Sequence, residues 1–166
     1  PVDATKLVTW VESHDTYCNA HESAGMTDEQ IRVAWVFLTA RNGGTPLFYS
    51  RPAGSTRENY WGNNRVGERG NDEFKHPAVI AVNNFRKEMK GEDEQVFVSN
   101  NGAVVEVARG TKGIVLVNFS NKDAKFNLPT TLSDGEYTDH ITGNILKVKN
   151  GKITGKLSPL ATYVIY

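Results

Sequence analysis

The sequence is poor in the features that define several classes of protein. Its 166 residues include one cysteine, Cys18, which excludes an internal disulfide and a cysteine-based zinc site. Its 19 lysines and arginines equal its 19 aspartates and glutamates, so it has no excess basic charge for nucleic acids or anionic membranes. No run approaches the roughly 18 apolar residues of a membrane span. We therefore expect no nucleic-acid partner and no membrane partner.

Composition divides the chain into two regions. All three tryptophans lie in the first region, at positions 10, 35 and 61, whereas 7 of the 11 lysines follow residue 92. A charged stretch at residues 87–94 marks the change. We therefore predict two domains, residues 1–92 and residues 93–166.

The first region alternates strand and helix signals. Residues 7–11 form a short apolar run typical of a buried parallel strand, and residues 45–50 form a second. Thr27 and Gln30 fit a capping box before an apolar helix that we expect Gly43-Gly44 to end. Pro77 suits the first turn of another helix. Its predicted apolar face contains Val79, Val82, Phe85 and Met89. This order favours a parallel α/β fold.

The second region alternates apolar and polar residues over short runs, such as Val104, Glu106 and Ala108. Turn pairs such as Asn101-Gly102 and Asn150-Gly151 separate the runs. Six to eight short strands in about 70 residues predict an antiparallel sandwich or barrel.

Polar residues gather where the first predicted strand ends. His14 can donate hydrogen bonds to hydroxyl groups, and Asp15 can accept them, which suits a polyhydroxylated substrate. In parallel α/β folds, ligands bind at this end of the strands. A solvated turn with no ligand is the alternative interpretation of the same residues. The segment at residues 51–74 is long for a connection within a compact unit, which indicates a functional or disordered loop.

Residues 10–17, Trp-Val-Glu-Ser-His-Asp-Thr-Tyr, resemble the fourth conserved region of the α-amylase family of glycoside hydrolases. Residues 44–52 look like the eighth barrel strand of that family and the start of its loop, and Gly-Glu-Arg-Gly at 67–70 continues the match. The resemblance is strongest to secreted bacterial members and covers essentially the whole chain.

This resemblance implies a fold and an activity. It implies the last two β/α units of a (β/α)8 TIM barrel, within residues 1–92, followed by an antiparallel β-sandwich at residues 93–166. The intact protein would be an extracellular enzyme that hydrolyses α-1,4-glucans such as starch by a retaining mechanism with two further carboxylates. Transglycosylation remains an alternative within the family. A non-catalytic carbohydrate-binding or structural β-sandwich with a barrel remnant is an alternative outside it.

The resemblance also assigns residues and partners. By motif position, Asp15 is the third catalytic carboxylate, which stabilises the transition state, His14 shares its contact with the sugar hydroxyls, and Asn19 is a weaker sugar contact. The nucleophile and the general acid lie upstream, so this segment alone is expected to be inactive and to need the N-terminal part of the barrel. Calcium is expected in the intact enzyme with upstream ligands, and no metal is assigned to this chain.

Several other side chains have two interpretations. Glu12 is expected to be an interior partner rather than a catalytic acid. Tyr60 and Trp61 could stack on a sugar or anchor the long loop. His21 with Glu22 could bind a metal, or both could be loop residues that bind no ligand. We expect three arginines to hold the long loop: Arg51, Arg65 and Arg69. We also expect Trp35 to lie in the core, and His76 and His140 to lie at the surface without local partners.

Overall fold

A computed structural model describes residues 2–63, 65 and 67–166. Pro1, at the start of the predicted first domain, and Asn64 and Val66, inside the predicted long loop, lie outside the described residues. The described part contains helices α1 (Asp28–Ala40) and α2 (Pro77–Glu88), 3-10 turns at Ala4–Lys6 and Glu73–Lys75, and a π-helical turn at Asp15–Asn19. Its strands are β1 (Val8–Thr9), β2 (Thr45–Pro46), β3 (Glu94–Val98), β4 (Val104–Arg109), β5 (Gly113–Asn118), β6 (Ala124–Pro129), β7 (Gly135–Thr138), β8 (Ile145–Lys149), β9 (Lys152–Leu157) and β10 (Thr162–Ile165).

Helix α1 begins as its capping residues predict. The Thr27 hydroxyl accepts a hydrogen bond from the Gln30 amide at 3.3 Å, and the Thr27 amide donates to Gln30 Oε1 at 2.9 Å. The helix ends at Ala40, earlier than the predicted stop. Gly44 instead turns the chain into β2 with φ of 71°, a conformation that favours glycine.

Helix α2 also matches its prediction. Pro77 occupies its first turn, and the His76 side chain caps the preceding end by accepting a hydrogen bond from the Ala78 amide at 3.1 Å. The expectation that His76 has no local partner is therefore wrong. All four residues of the predicted apolar face are buried: Val79, Val82, Phe85 and Met89.

Strands β1 and β2 pair in parallel, but over only two residues each. The prediction that residues 7–11 form a buried strand is wrong, because Leu7, Val8 and Trp10 are 43%, 56% and 51% exposed. Within the described chain β1 has one neighbouring strand, so much of its apolar surface is uncovered. Of the predicted α/β fold, the structure shows one short parallel pair, β1 and β2, with α1 between the two strands in sequence.

The predicted antiparallel β-sandwich is confirmed. One sheet has the strand order β10-β5-β4-β3, and the other has the order β6-β9-β8-β7. Hydrogen-bonded neighbours in both sheets run antiparallel. The predicted Asn-Gly turns carry Gly102 and Gly151 at positive φ, which a tight reversal between strands favours.

The first sheet is the middle layer of three. Its Val107, Val115, Val117 and Val164 share a buried core with the apolar faces of α1 and α2. Its opposite face packs on the second sheet through residues such as Ile114 and Leu116. This arrangement follows from strand alternation, which sends neighbouring residues to opposite faces. The helices end at Glu88 and the antiparallel strands begin at Glu94, and a common core joins the two sides.

Arg109 at the end of β4 ties the sheet to both helices. Its buried guanidinium donates to the Ala40 carbonyl at the end of α1 at 3.1 Å and to the Met89 carbonyl just after α2 at 2.9 Å. Because helix C-termini have carbonyls without helical partners, one arginine satisfies groups from both helices. In the described ranges, no helix has the length and apolar character needed to cross a membrane.

Candidate active site

The candidate site lies at the ends of the parallel strands. Val8 pairs with Thr45 and Thr9 with Pro46, so β1 and β2 run side by side towards the segments that follow them. The loop after β1 contains the predicted site residues, and the loop after β2 is the long segment 51–74. Parallel strands direct such loops to one edge of the sheet, where they meet.

The loop after β1 folds into a compact turn that holds Asp15. Ser13 and Thr16 bond each other reciprocally: the Ser13 amide donates to the Thr16 hydroxyl at 2.8 Å, and the Thr16 amide donates to the Ser13 hydroxyl at 3.3 Å. The Ala20 amide closes the turn on the Asp15 carbonyl at 2.6 Å. Short hydroxyl side chains favour this local bonding over strand continuation. The turn therefore presents Asp15 at its first position.

The structure brings the three predicted site residues together. Asn19 Nδ2 donates to Asp15 Oδ1 at 2.8 Å, and His14 Nε2 lies 3.4 Å from the same oxygen. The side chains of His14 and Asp15 are 69% and 70% exposed. Within the described part of the chain, Asp15 Oδ2 accepts no hydrogen bond. The cluster thus has one oxygen that is oriented by the Asn19 amide and one that can accept hydrogen bonds from a ligand's hydroxyl groups.

A buried ion pair lies beneath this turn. Arg51 donates from Nε to Glu12 Oε1 at 2.8 Å and from Nη2 to Glu12 Oε2 at 3.0 Å, with Glu12 only 3% exposed. Burial alone would lower the pKa of Arg51, but its hydrogen bonds and its charge interaction with Glu12 raise that pKa above the ordinary value. Glu12 also accepts from the Ser23 hydroxyl at 2.8 Å. Glu12 is an interior partner, as expected, and Arg51 holds both loops.

An aromatic cluster fills the space between the two loops. Tyr17 and Cys18 are buried, and Tyr49 and Tyr60 pack against them. The Arg51 guanidinium lies 4.5 Å from the centre of the Tyr17 ring, within the range of a cation–π contact. Burial and a hydrogen bond with Cys18 raise the pKa of Tyr49, so its hydroxyl stays protonated. Sequence reasoning missed Tyr17 and Tyr49 as supports of the site, since no local pattern relates them to Arg51.

The remaining candidates separate into different roles. His21 Nε2 lies 2.9 Å from the Cys18 carbonyl oxygen, and its ring stacks on Tyr60 at 3.9 Å, so it supports the loop. Among the described residues, no group of three or more histidine, cysteine or acidic side chains could hold a metal ion. His140 lies at the surface, as expected, and its partner is distant in sequence: its ring stacks on Tyr166 at 4.1 Å, and its Nε2 lies 3.0 Å from that residue's carbonyl oxygen.

Other aromatic and basic residues follow their predictions more closely. Trp35 is core, with its ring edge-on to Phe48 at 4.9 Å. Arg69 pairs with Asp72 at 2.8 Å inside the long loop. The backbone amide of Arg65 donates a hydrogen bond to Glu68 Oε2 at 3.0 Å.

Comparison with known proteins identifies the class to which these features belong. A family model for the bacterial α-amylase C-terminal domain matches residues 101–161, which lie within the β-sandwich. An α-amylase from Butyrivibrio fibrisolvens is 39% identical over 93% of this chain, and one from Clostridium acetobutylicum is 34% identical over 99% of it. The crystal structure of a mutant α-amylase I from Eisenia fetida, a maltohexaose complex, aligns with 99% of this chain and 42% of its own, with a TM-score of 0.69 at 15% identity.

The matches to the two bacterial α-amylases and to the Eisenia fetida structure extend across both regions of the chain, whereas the family model matches the second region only. Over nearly its whole length the chain is similar to curated α-amylases, and its β-sandwich matches the bacterial α-amylase C-terminal domain, so it has the features of a C-terminal α-amylase segment. It spans about a fifth of the length of the curated relatives it matches, 17% and 20% respectively.

Proposed function

We propose that this chain contributes the transition-state-stabilising carboxylate, Asp15, to an α-amylase that hydrolyses internal α-1,4-glucosidic bonds in starch and related glucans. The observation that supports it is the exposed Asp15 carboxylate, which is oriented through one oxygen and open at the other. Its relatives over nearly the whole chain are named α-amylases. A carboxylate that accepts hydrogen bonds from two neighbouring sugar hydroxyls holds the ring most firmly when the ring distorts.

The neighbouring residues have supporting roles in this proposal. His14 donates to a sugar hydroxyl beside Asp15, since its imidazole is exposed and adjacent to the carboxylate. The Asn19 amide group orients Asp15 through Oδ1, and its own carbonyl oxygen remains available to a sugar hydroxyl. The Glu12–Arg51 pair fixes the turn from below. Glu12 itself is engaged in that pair, so it does not supply the proton that a general acid must deliver to the leaving group.

The proposed reaction needs groups that these residues do not provide. A retaining glycosidase uses a nucleophilic carboxylate and an acid/base carboxyl group about 5–5.5 Å apart. In our proposal both come from an N-terminal part of the barrel, so the present residues alone bind and orient substrate without cleaving it. The exposed surfaces of Leu7, Val8, Trp10 and Leu47 around β1 and β2 support a partner of this kind, since apolar strand surfaces require cover.

In this proposal residues 1–92 form the last two units of a (β/α)8 barrel, residues 93–166 form the C-terminal domain, and the enzyme is extracellular. The calcium ion expected for the intact enzyme does not fit the residues present. No group of three or more histidine, cysteine, aspartate or glutamate side chains that could hold a metal ion occurs in the described ranges, so no step of the mechanism passes through calcium here. Its ligands would belong to the upstream part.

The decisive experiment replaces Asp15 in a protein that carries the upstream carboxylates. Asp15→Asn should lower kcat on soluble starch by on the order of a hundredfold, because the amide cannot stabilise developing positive charge. Glu22→Gln is the matched control, since it removes an exposed carboxylate from the same loop and should leave kcat unchanged. Equal activity of Asp15→Asn and wild type would refute the proposal. Glucan affinity confined to residues 93–166 would favour a carbohydrate-binding module instead.

A further inference from the structure

The start of the long loop packs directly on the turn that carries Asp15. The Tyr17 hydroxyl bonds the Ser55 hydroxyl at 2.9 Å, and the Tyr60 ring meets the Tyr17 ring edge-on at 5.9 Å. Tyr60 also stacks on His21. Residues 53–63 and the Asp15 turn therefore form one surface rather than two independent loops.

This part of the loop is braced by its own hydrogen bonds. The amides of Thr56 and Asn59 each donate to the carbonyl oxygen of the other, at 2.9 and 3.2 Å, and Asn59 Nδ2 donates to the Gly62 carbonyl at 3.1 Å. Gly62 has φ of 57°, and a Cβ there would lie 2.3 Å from the Ala53 carbonyl oxygen. Only glycine fits this crossing, so the residue before it is held in a defined position.

That residue is Trp61, and its side chain is 57% exposed. Its neighbour Tyr60 makes ring contacts with Tyr17 and His21 that anchor the loop, so this anchoring does not require the Trp61 ring. An exposed indole on a braced loop offers a large, rigid apolar face at little cost in conformational entropy. Each face of a pyranose ring presents C–H groups that can pack against such a face.

We propose that Trp61 is the stacking platform of a glucosyl subsite beside Asp15, and that it binds a ring of the α-glucan chain adjacent to the one Asp15 holds. This inference rests on the proposed function for its substrate class. It divides the two aromatic residues of the loop between two roles: Tyr60 fixes the loop, and Trp61 contacts the sugar. Trp61 is thereby a binding residue, which sets affinity for longer chains rather than the rate of bond cleavage.

The test is an NMR titration of the 166-residue chain, labelled with 15N, with maltoheptaose. The indole N–H signal of Trp61, assigned by its disappearance in Trp61→Phe, should move saturably, while that of the buried Trp35 stays fixed. Trp61→Ala should weaken binding, followed at the backbone amides of the Asp15 turn, by roughly fivefold to tenfold. Trp61→Phe should retain most of the affinity. The matched control is Phe119→Ala, which removes an exposed aromatic ring from the β-sandwich and should bind like wild type.

A Trp61 signal that does not move up to the solubility limit of the sugar, or equal binding by Trp61→Ala and wild type, would overturn the subsite. Cellohexaose, which has β-linkages, should bind more weakly, and an equal shift with it would refute specificity for α-glucan. The two proposals fail separately. If hydrolysis depends on Asp15 but the Trp61 signal does not move during the titration, only the subsite proposal is overturned. If hydrolysis is unchanged in Asp15→Asn but the Trp61 signal shifts saturably, the catalytic assignment of Asp15 is overturned and the subsite proposal stands.

Discussion

Glu106 is a carboxyl group in the interior of the β-sandwich, and its removal tests how the sandwich tolerates it. It lies on β4 between Val104 and Ala108, which face the second sheet, and its cross-strand neighbours are Phe97 and Leu116. Its side chain is fully buried, and neither carboxyl oxygen has a hydrogen-bond partner among the described residues. Burial raises the pKa of Glu106 to about 7, an effect that the nearby Thr130 hydroxyl only partly opposes.

The consequence of this raised pKa is that the contribution of Glu106 to stability falls as pH rises. Between its ordinary value of 4.5 and about 7, Glu106 binds its proton in the folded protein and has released it in the unfolded chain. The contribution of Glu106 to the free energy of unfolding therefore decreases from pH 4.5 upward and levels off above about 7. A pKa difference of this size corresponds to about 3 kcal/mol, because each unit is worth about 1.4 kcal/mol.

Glu106→Gln removes the charge and keeps the shape. We expect it to match wild type at pH 5, where Glu106 is protonated in the fold, and to be more stable by about 2–3 kcal/mol at pH 8.5. Urea unfolding followed by circular dichroism at both pH values measures the difference. Glu136→Gln, which alters an exposed glutamate of the same sandwich, should show no such divergence. Parallel pH profiles for Glu106→Gln and wild type would refute the reasoning.

Two further substitutions test the supports of the site and of α1. Arg51→Met leaves the Glu12 carboxylate buried without its cation and should lower the free energy of unfolding by about 3–5 kcal/mol in urea titrations. Adding Glu12→Gln should recover part of that loss, and no recovery would show that the ion pair is not its cause. Thr27→Ala removes the cap of α1 and should cost about 1 kcal/mol, seen as a melting temperature about 2–4 °C lower. Thr27→Ser should melt like wild type, and a matching loss there would assign the effect to packing of the methyl group.

Local signals in the sequence predicted the elements that depend on neighbouring residues. The Thr27 capping box, Pro77 at a helix start and the Asn-Gly turns act over three or four residues, so their outcome is readable without the rest of the fold. The apolar face of α2 was predictable for the same reason, because helical spacing alone brings Val79 and Val82 to one side. The proximity of His14, Asp15 and Asn19 also follows from one short turn.

Burial, by contrast, depended on what lies across from each residue. The apolar run at residues 7–11 reads as buried, yet Val8 and Trp10 are exposed because β1 has one neighbouring strand in the described chain. Glu106 reads as one polar residue in an alternating strand, and only the stacking of the second sheet encloses its carboxyl group.

The sequence by itself determined the order of strands and helices, the change of architecture near residue 92 and the motif that contains Asp15. Only the tertiary structure paired Glu12 with Arg51, 39 positions apart, packed the half-buried Tyr60 against Tyr17 and left Trp61 exposed. The physical reason is range. Caps, turns and helical periodicity are set by neighbours along the chain, whereas ion pairing and burial are set by residues that meet only after the chain has folded.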